Sequence, residues 1–168
     1  MFSFPDPVNE VSARLVAAGV VLMSLAAIVF DAPWMTALIA YGFVARVLSG
    51  PTLSPLGQFV TRVVTPRLSV PPKLVPGPPK RFAQGMGAAM SVMAAVSALG
   101  FGERGAAYVL LGLLAAAATL ESVFAFCLGC RIFALLMRAG IIPESVCERC
   151  NNLGLAQAEP LSRATSSS

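Results

Sequence analysis

Phe82–Phe101 runs for twenty residues without one charged side chain. As a helix rising 1.5 Å per residue it would cover roughly 30 Å, the hydrocarbon thickness of a bilayer. It is the clearest membrane span in the chain. Gly85, Ala89, Gly87 and Ser91 give it overlapping small-xxx-small spacings, which let another helix approach closely. Only 12% of the 168 residues are charged, against roughly a quarter in a soluble domain. That deficit points to a membrane protein more strongly than the apolar excess does.

Three further spans fit the same reading. Ser12–Phe30 contains no charge after Arg14, whose long side chain is expected to snorkel to the headgroups. Pro33–Ser49 is short for a span and carries Arg46 near its end, with Gly50-Pro51 to break it. Ala106 to about Cys127 carries one charge, Glu121. The spans are thus placed at 12–30, 33–49, 82–101 and 106–127, in one domain covering 1–153.

Between and after the spans lie segments of another kind. Thr52–Leu68 puts Gln58, Thr61 and Arg62 on a common side and reads as an amphipathic interfacial helix. Six prolines between Pro66 and Pro79 predict an extended connector, closed by the basic pair Lys80-Arg81. Arg131–Ile142 is a second interfacial helix, ended by Gly140 and Pro143. A C-terminal CxxC segment, 128–153, precedes a small, polar tail at 154–168 that is expected to be disordered. The lead-in at 1–11 carries Asp6 and Glu10 where a secretory signal needs positive charge. The fold class is therefore all-α: a four-transmembrane-helix bundle with interfacial amphipathic helices and a cytoplasmic cysteine cap.

With four spans, eleven of the twelve Lys and Arg residues fall on one side or at its edge, and only Arg104 is opposite. By the positive-inside rule that side is cytoplasmic, with both termini, in an inner (plasma) membrane. The net charge of +4 is explained by this topology rather than by nucleic acid. The chain has no histidine, which excludes a His-based triad and a 2-His-1-carboxylate iron site.

All four cysteines fall into two CxxC pairs, Cys127/Cys130 and Cys147/Cys150, with sixteen residues between Cys130 and Cys147. That spacing fits a tetrathiolate zinc site, and each pair alone has the spacing of a dithiol redox centre. On the cytoplasmic side thiols are kept reduced, so a permanent disulfide is not expected. If Gly129 ends the fourth span, Cys127 caps the next helix beside Arg131, and helix dipole and cation favour its thiolate. If the span continues to Cys130, the dipole and the lipid oppose it. Glu121 reads structurally as a carboxylate paired with Arg46 or Arg81, and functionally as a proton exchanger for a cysteine. It lies six residues, roughly 240° of helix, from Cys127, so contact needs a helix break. Gln84 and Gln58 read as interhelical hydrogen-bonding residues. Lys73, Lys80 and Arg81 mark topology and anionic lipid, and Asp31 and Glu103 sit in opposite-side turns.

Gly50-Pro51 with Ser54-Pro55, Pro79-Lys80-Arg81-Phe82-Ala83-Gln84-Gly85, and Leu120-Glu121-Ser122-Val123-Phe124 leading into Cys127 and Cys130 together resemble a known family. It is the bacterial integral membrane family catalogued as domain of unknown function 4395, matched over roughly residues 5–153. The resemblance implies a small multi-span membrane protein whose relatives often stand beside thioredoxin-like or rhodanese-like sulfurtransferase proteins. It implies no activity.

Two functions are therefore carried forward. In the first, a lipid-embedded protein exchanges thiols or relays sulfur with a thioredoxin-like or rhodanese-like partner. Cys127 attacks, Cys130 resolves, and Cys147 and Cys150 pass electrons onward. In the second, the four cysteines hold a structural zinc on a membrane scaffold or small-solute transporter. A quinone-reducing four-helix bundle is a third idea, by architectural analogy alone.

Overall fold

In the computed structural model, residues 7–147 are described. Four helical stretches among them are long and apolar enough to cross a membrane: Glu10–Val29, Trp34–Arg67, Gly77–Gly100 and Arg104–Phe124. The elements are β1 (Val8–Asn9), α1 (Glu10–Val29), α2 (Trp34–Ser49), α3 (Pro55–Phe59), α4 (Thr65–Arg67), β2 (Leu74–Val75), α5 (Gly77–Ala95), α6 (Arg104–Phe124) and α7 (Leu128–Arg138). α1 packs on α6, and α2 packs on α5, which also touches α6 and α7.

The bundle core is built from small residues. Ala17, Val20 and Ala27 of α1 meet Ile39 and Phe43 of α2, Ala94 of α5, and Leu111, Leu114 and Ala118 of α6. Lipid gives helices no hydrophobic reason to associate, so close van der Waals approach must do so, and small side chains permit it. Many of the large apolar residues face outward, as Leu22, Phe30, Leu99 and Leu113 do. Of the two small-residue stripes on α5, the contact uses one. Ser91 is fully buried, and a Cβ at Gly87 would overlap the Phe43 ring, whereas Gly85 faces open space and Ala89 is exposed.

Local chemistry sets the boundaries. Asn9 caps α1 by accepting from Val11 N, 3.0 Å away, so the helix starts two residues before the expected position. α5 starts five residues early, at Gly77, because Pro78 and Pro79 fit a first helical turn whose amides have no partner anyway. The connector is correspondingly shorter than expected, and Lys80 and Arg81 belong to the helix. β1 and β2 pair antiparallel, Val8 with Val75 and Asn9 with Leu74. The Glu10–Lys73 ion pair, 2.8 Å long, ties the same strip together.

The amphipathic segment expected at Thr52–Leu68 is helical from Pro55 to Arg67, and it returns along α1. Ser54 caps it, its hydroxyl oxygen accepting from Gly57 N at 3.2 Å, from a position beside Gly42, two turns back along α2. Leu56 sits against Gly19 of α1, and Thr65 Oγ1 lies 3.0 Å from Ser12 Oγ. A π-type turn at Val60–Val64 joins α3 to α4. Pro66 lies two residues beyond it, and its missing amide and bulky ring favour a widened turn ahead of it.

Candidate functional site

α6 ends at Phe124, three residues short of the expected Cys127. Ala125 takes the left-handed conformation, φ +55°, and Phe126 N bonds back to Leu120 O at 3.1 Å. Arg14, expected to snorkel, instead donates to the exposed end of the helix: Nη2 to Ser122 O at 2.9 Å and Val123 O at 3.1 Å. These bonds satisfy carbonyls that the terminus leaves without intrahelical partners.

The break decides the alternative that the sequence left open. Cys127 occupies the position before the first turn of α7, in extended conformation, and Cys130 lies within that turn. Both are free, half-buried thiols. Gly129 does not end the span. It lets α7 lie on α5: a Cβ there would come within 2.5 Å of Ala83 Cα and Cβ. Phe133 then packs on Phe82, ring centres 5.6 Å apart, and Arg131 lies over the Phe126 ring at 5.1 Å. α7 spans Leu128–Arg138, three residues earlier at its start than expected, and Gly140, φ +76°, follows its end.

Lys80 stands one turn before Ala83 on α5. Its ammonium makes the direct ion pair with Glu121, in place of the Arg46 or Arg81 contact the sequence suggested, while Arg46 stays within electrostatic range of the same carboxylate. The reason is the early start of α5, which turns Lys80 inward to 7% exposure of its side chain. Lys80 and Glu121 both act electrostatically on the two thiols. The helix break thus brings Glu121 within range of Cys127, which a straight helix would not.

The thiols are unequal. The hydrogen bond donated by Cys130 pulls Cys127 below the ordinary thiol value; burial and Glu121 oppose this, and the Lys80 charge assists it. The same bond pushes Cys130 well above that value, with burial adding to the effect. A proton is therefore held on Cys130 while Cys127 ionises first.

Cys147 closes a short turn, Glu144–Cys147, and its side chain lies outside the described ones; Cys150 lies outside the described residues. Among the described residues no three His, Cys, Asp or Glu side chains converge as a metal site would require. Gln58 bonds the carbonyl of Thr52 within its own turn rather than another helix, and Gln84 Oε1 is buried without a partner. Lys80, Arg14 and Gly129 are the residues that sequence reasoning undervalued. The proline pair before Lys80, read as a helix start, is the signal that would have turned it inward.

Residues 8–138 match the family described as Domain of unknown function (DUF4395). The chain belongs to that family. The matched region takes in all four spans, the Lys80–Glu121 pair and the first CxxC, and stops before Cys147. No curated protein and no solved structure matches the chain.

Proposed function

We propose that this protein carries out thiol–disulfide exchange at the end of its bundle, with Cys127 as the attacking thiol and Cys130 as the resolving one. The observation that carries this reading is the start of α7, where one thiol of a CxxC pair is made acidic by its neighbour beside a buried lysine. The Cys127 thiolate attacks one sulfur of a partner disulfide; that S–S bond breaks, and the other partner sulfur leaves and takes a proton. Cys130 then gives up its proton to solvent and attacks Cys127 Sγ, releasing the partner's second thiol. Two electrons pass to the partner, and a Cys127–Cys130 disulfide remains. Lys80 stabilises the attacking thiolate and Glu121 holds Lys80 in place, so both are positioning residues.

On the family resemblance, the partner is a thioredoxin-like or rhodanese-like protein; with the latter, the Cys127 thiolate attacks the outer sulfur of the partner's persulfide, that S–S bond breaks, and the partner leaves as a thiolate. Reduced Cys147 and Cys150 would re-reduce the Cys127–Cys130 disulfide by the same exchange and be left as a disulfide themselves, so that electrons pass through the first pair to the partner. The end bearing Lys80, Arg81 and the thiols is assigned to the cytoplasm of a plasma membrane on its excess of basic residues.

The test is the redox equilibrium of detergent-purified protein in glutathione buffers under anaerobic conditions. The reading expects a reversible Cys127–Cys130 disulfide, and in Cys130→Ser a mixed disulfide with glutathione that accumulates on Cys127. About one zinc per chain, lost on replacing any of the four cysteines, would replace this reading with a structural metal knot.

A further inference from the structure

Arg46 is 4% exposed in the middle of the bundle end, with its guanidinium 4.4 Å from the centre of the Phe43 ring and its Nε without a hydrogen-bond partner. Among the described residues Glu121 is the acidic group that acts on it, and Glu121 is already ion-paired to Lys80. The thiols act on Lys80, not on Arg46. Two buried cations therefore share one carboxylate, and while both thiols are protonated the site is one negative charge short. A buried charge without a counter-charge is costly, and in a membrane span it marks a ligand or an ion path.

Three cavities meet at this arginine. The largest, about 300 Å³, lies between α1, α2 and α3 and is walled by Val20, Met23, Ile39, Leu56 and Phe59. A dry apolar cavity of about 150 Å³ already takes up a benzene, and small-molecule sites begin at about 300 Å³. The second, about 170 Å³, opens toward Ser12 and Thr61, and the third, about 50 Å³, is lined by Lys80, Gln84 and Glu121. The one charged side chain on the largest cavity is Arg46, so its occupant has an apolar body and an anionic end.

We propose that this cavity binds an amphiphile with an anionic head and an acyl chain, the head on Arg46 and the chain between α1, α2 and α3. A carboxylate or a phosphate supplies the missing charge, and the small polar cavity gives room for the rest of a head group. Glu121 and Lys80 connect the head to the thiol pair through one ion pair, but the binding does not depend on thiol chemistry.

The experiment is a titration of delipidated, detergent-purified protein with dodecanoate, read by native mass spectrometry. Dodecanol and phosphatidylglycerol are the comparison ligands. Arg46→Gln removes the charge. Gly42→Leu fills the cavity and keeps the charge; a Cβ at Gly42 meets only ordinary contacts, 3.9 Å from Arg46 Nη2 and 4.0 Å from Ser54 Oγ. Wild type is expected to prefer dodecanoate to dodecanol by about tenfold or more, the size of one charge-assisted hydrogen bond. Arg46→Gln loses the preference, and Gly42→Leu loses binding while its thiols alkylate as in wild type. Competition by phosphatidylglycerol names a membrane lipid as the source, and its failure to compete names a free acyl acid. Equal binding of acid and alcohol overturns the proposal, as does undiminished dodecanoate binding by Gly42→Leu.

Discussion

The two ends of the bundle each carry an ion pair, and they differ in almost everything else. At the far end Arg104 Nη1 lies 2.5 Å from Asp31 Oδ2, both side chains are more than half exposed (56% and 57%), and the Tyr108 hydroxyl donates to the same carboxylate. At the near end Lys80 and Glu121 are 7% and 21% exposed, with Arg46 beside them and two thiols within electrostatic range. Water dissipates the first pair and leaves it a simple tie between the α1–α2 turn and α6. Burial makes the second an electrostatic setting for whatever stands next to it. The same charges thus hold loops at one end and act on two neighbouring thiols at the other, and exposure is the variable that separates them.

The largest effect should come from breaking each pair. Glu121→Ala leaves Lys80 and Arg46 buried without a carboxylate, and should cost about 3 kcal/mol, the low end for a buried pair because Glu121 keeps some exposure. Arg104→Gln at the far end should cost at most about 1 kcal/mol. Unfolding in mixed micelles of rising denaturing-detergent content, followed by circular dichroism, gives both values. Equal losses would erase the distinction between the ends.

Glycines sharpen it next. Gly129→Leu drives a side chain into the backbone of Ala83 and should cost about 1–3 kcal/mol. It should also lift α7 and speed alkylation of Cys130, which mass spectrometry can follow. Gly105, which starts α6 at the far end with nothing within 4 Å, should accept alanine with a change within about 0.5 kcal/mol.

The smallest effect concerns backbone strain. Ala125→Gly relieves a left-handed alanine and should stabilise by less than about 1 kcal/mol, since glycine also loosens the unfolded chain. Asp31, left-handed at the far end, should gain less, because aspartate tolerates that conformation better than alanine.

How far the sequence carried depends on which force set each feature. Spans follow from charge-free length, a sum over many residues, so all four were legible, as were the Gly50-Pro51 break and the Gly140 stop. Helix ends depend on single hydrogen bonds. Nothing in Ala125 announces a left-handed turn, so the fourth span ran on to Cys127 and the cap position of that thiol stayed open. Gly129 looked like a helix breaker because its local chemistry allows that role, while its use depends on Ala83, a contact between helices distant in sequence. Lys80 turns inward because the prolines at 78 and 79 open α5, a local signal that the proline-rich composition of the connector masks. Arg14 could not have been paired with the end of α6 without the packing of α1 on α6. The favoured thiolate at Cys127 was legible only on the condition that the fourth span ends before it, and that condition rests on the turn at Ala125.

That difference is the claim on which the account stands, and alkylation of the intact protein as a function of pH tests it most directly. Peptide mass spectrometry would give a separate midpoint for Cys127 and Cys130. Cys127 should react first, with a midpoint below that of an ordinary thiol, and Cys130 should lag well behind it. Lys80→Gln should move the Cys127 midpoint up by removing a favourable charge, and Glu121→Gln should move it down by removing an unfavourable one. Two thiols that titrate together at the ordinary value, or a Cys130 that reacts first, would contradict the account.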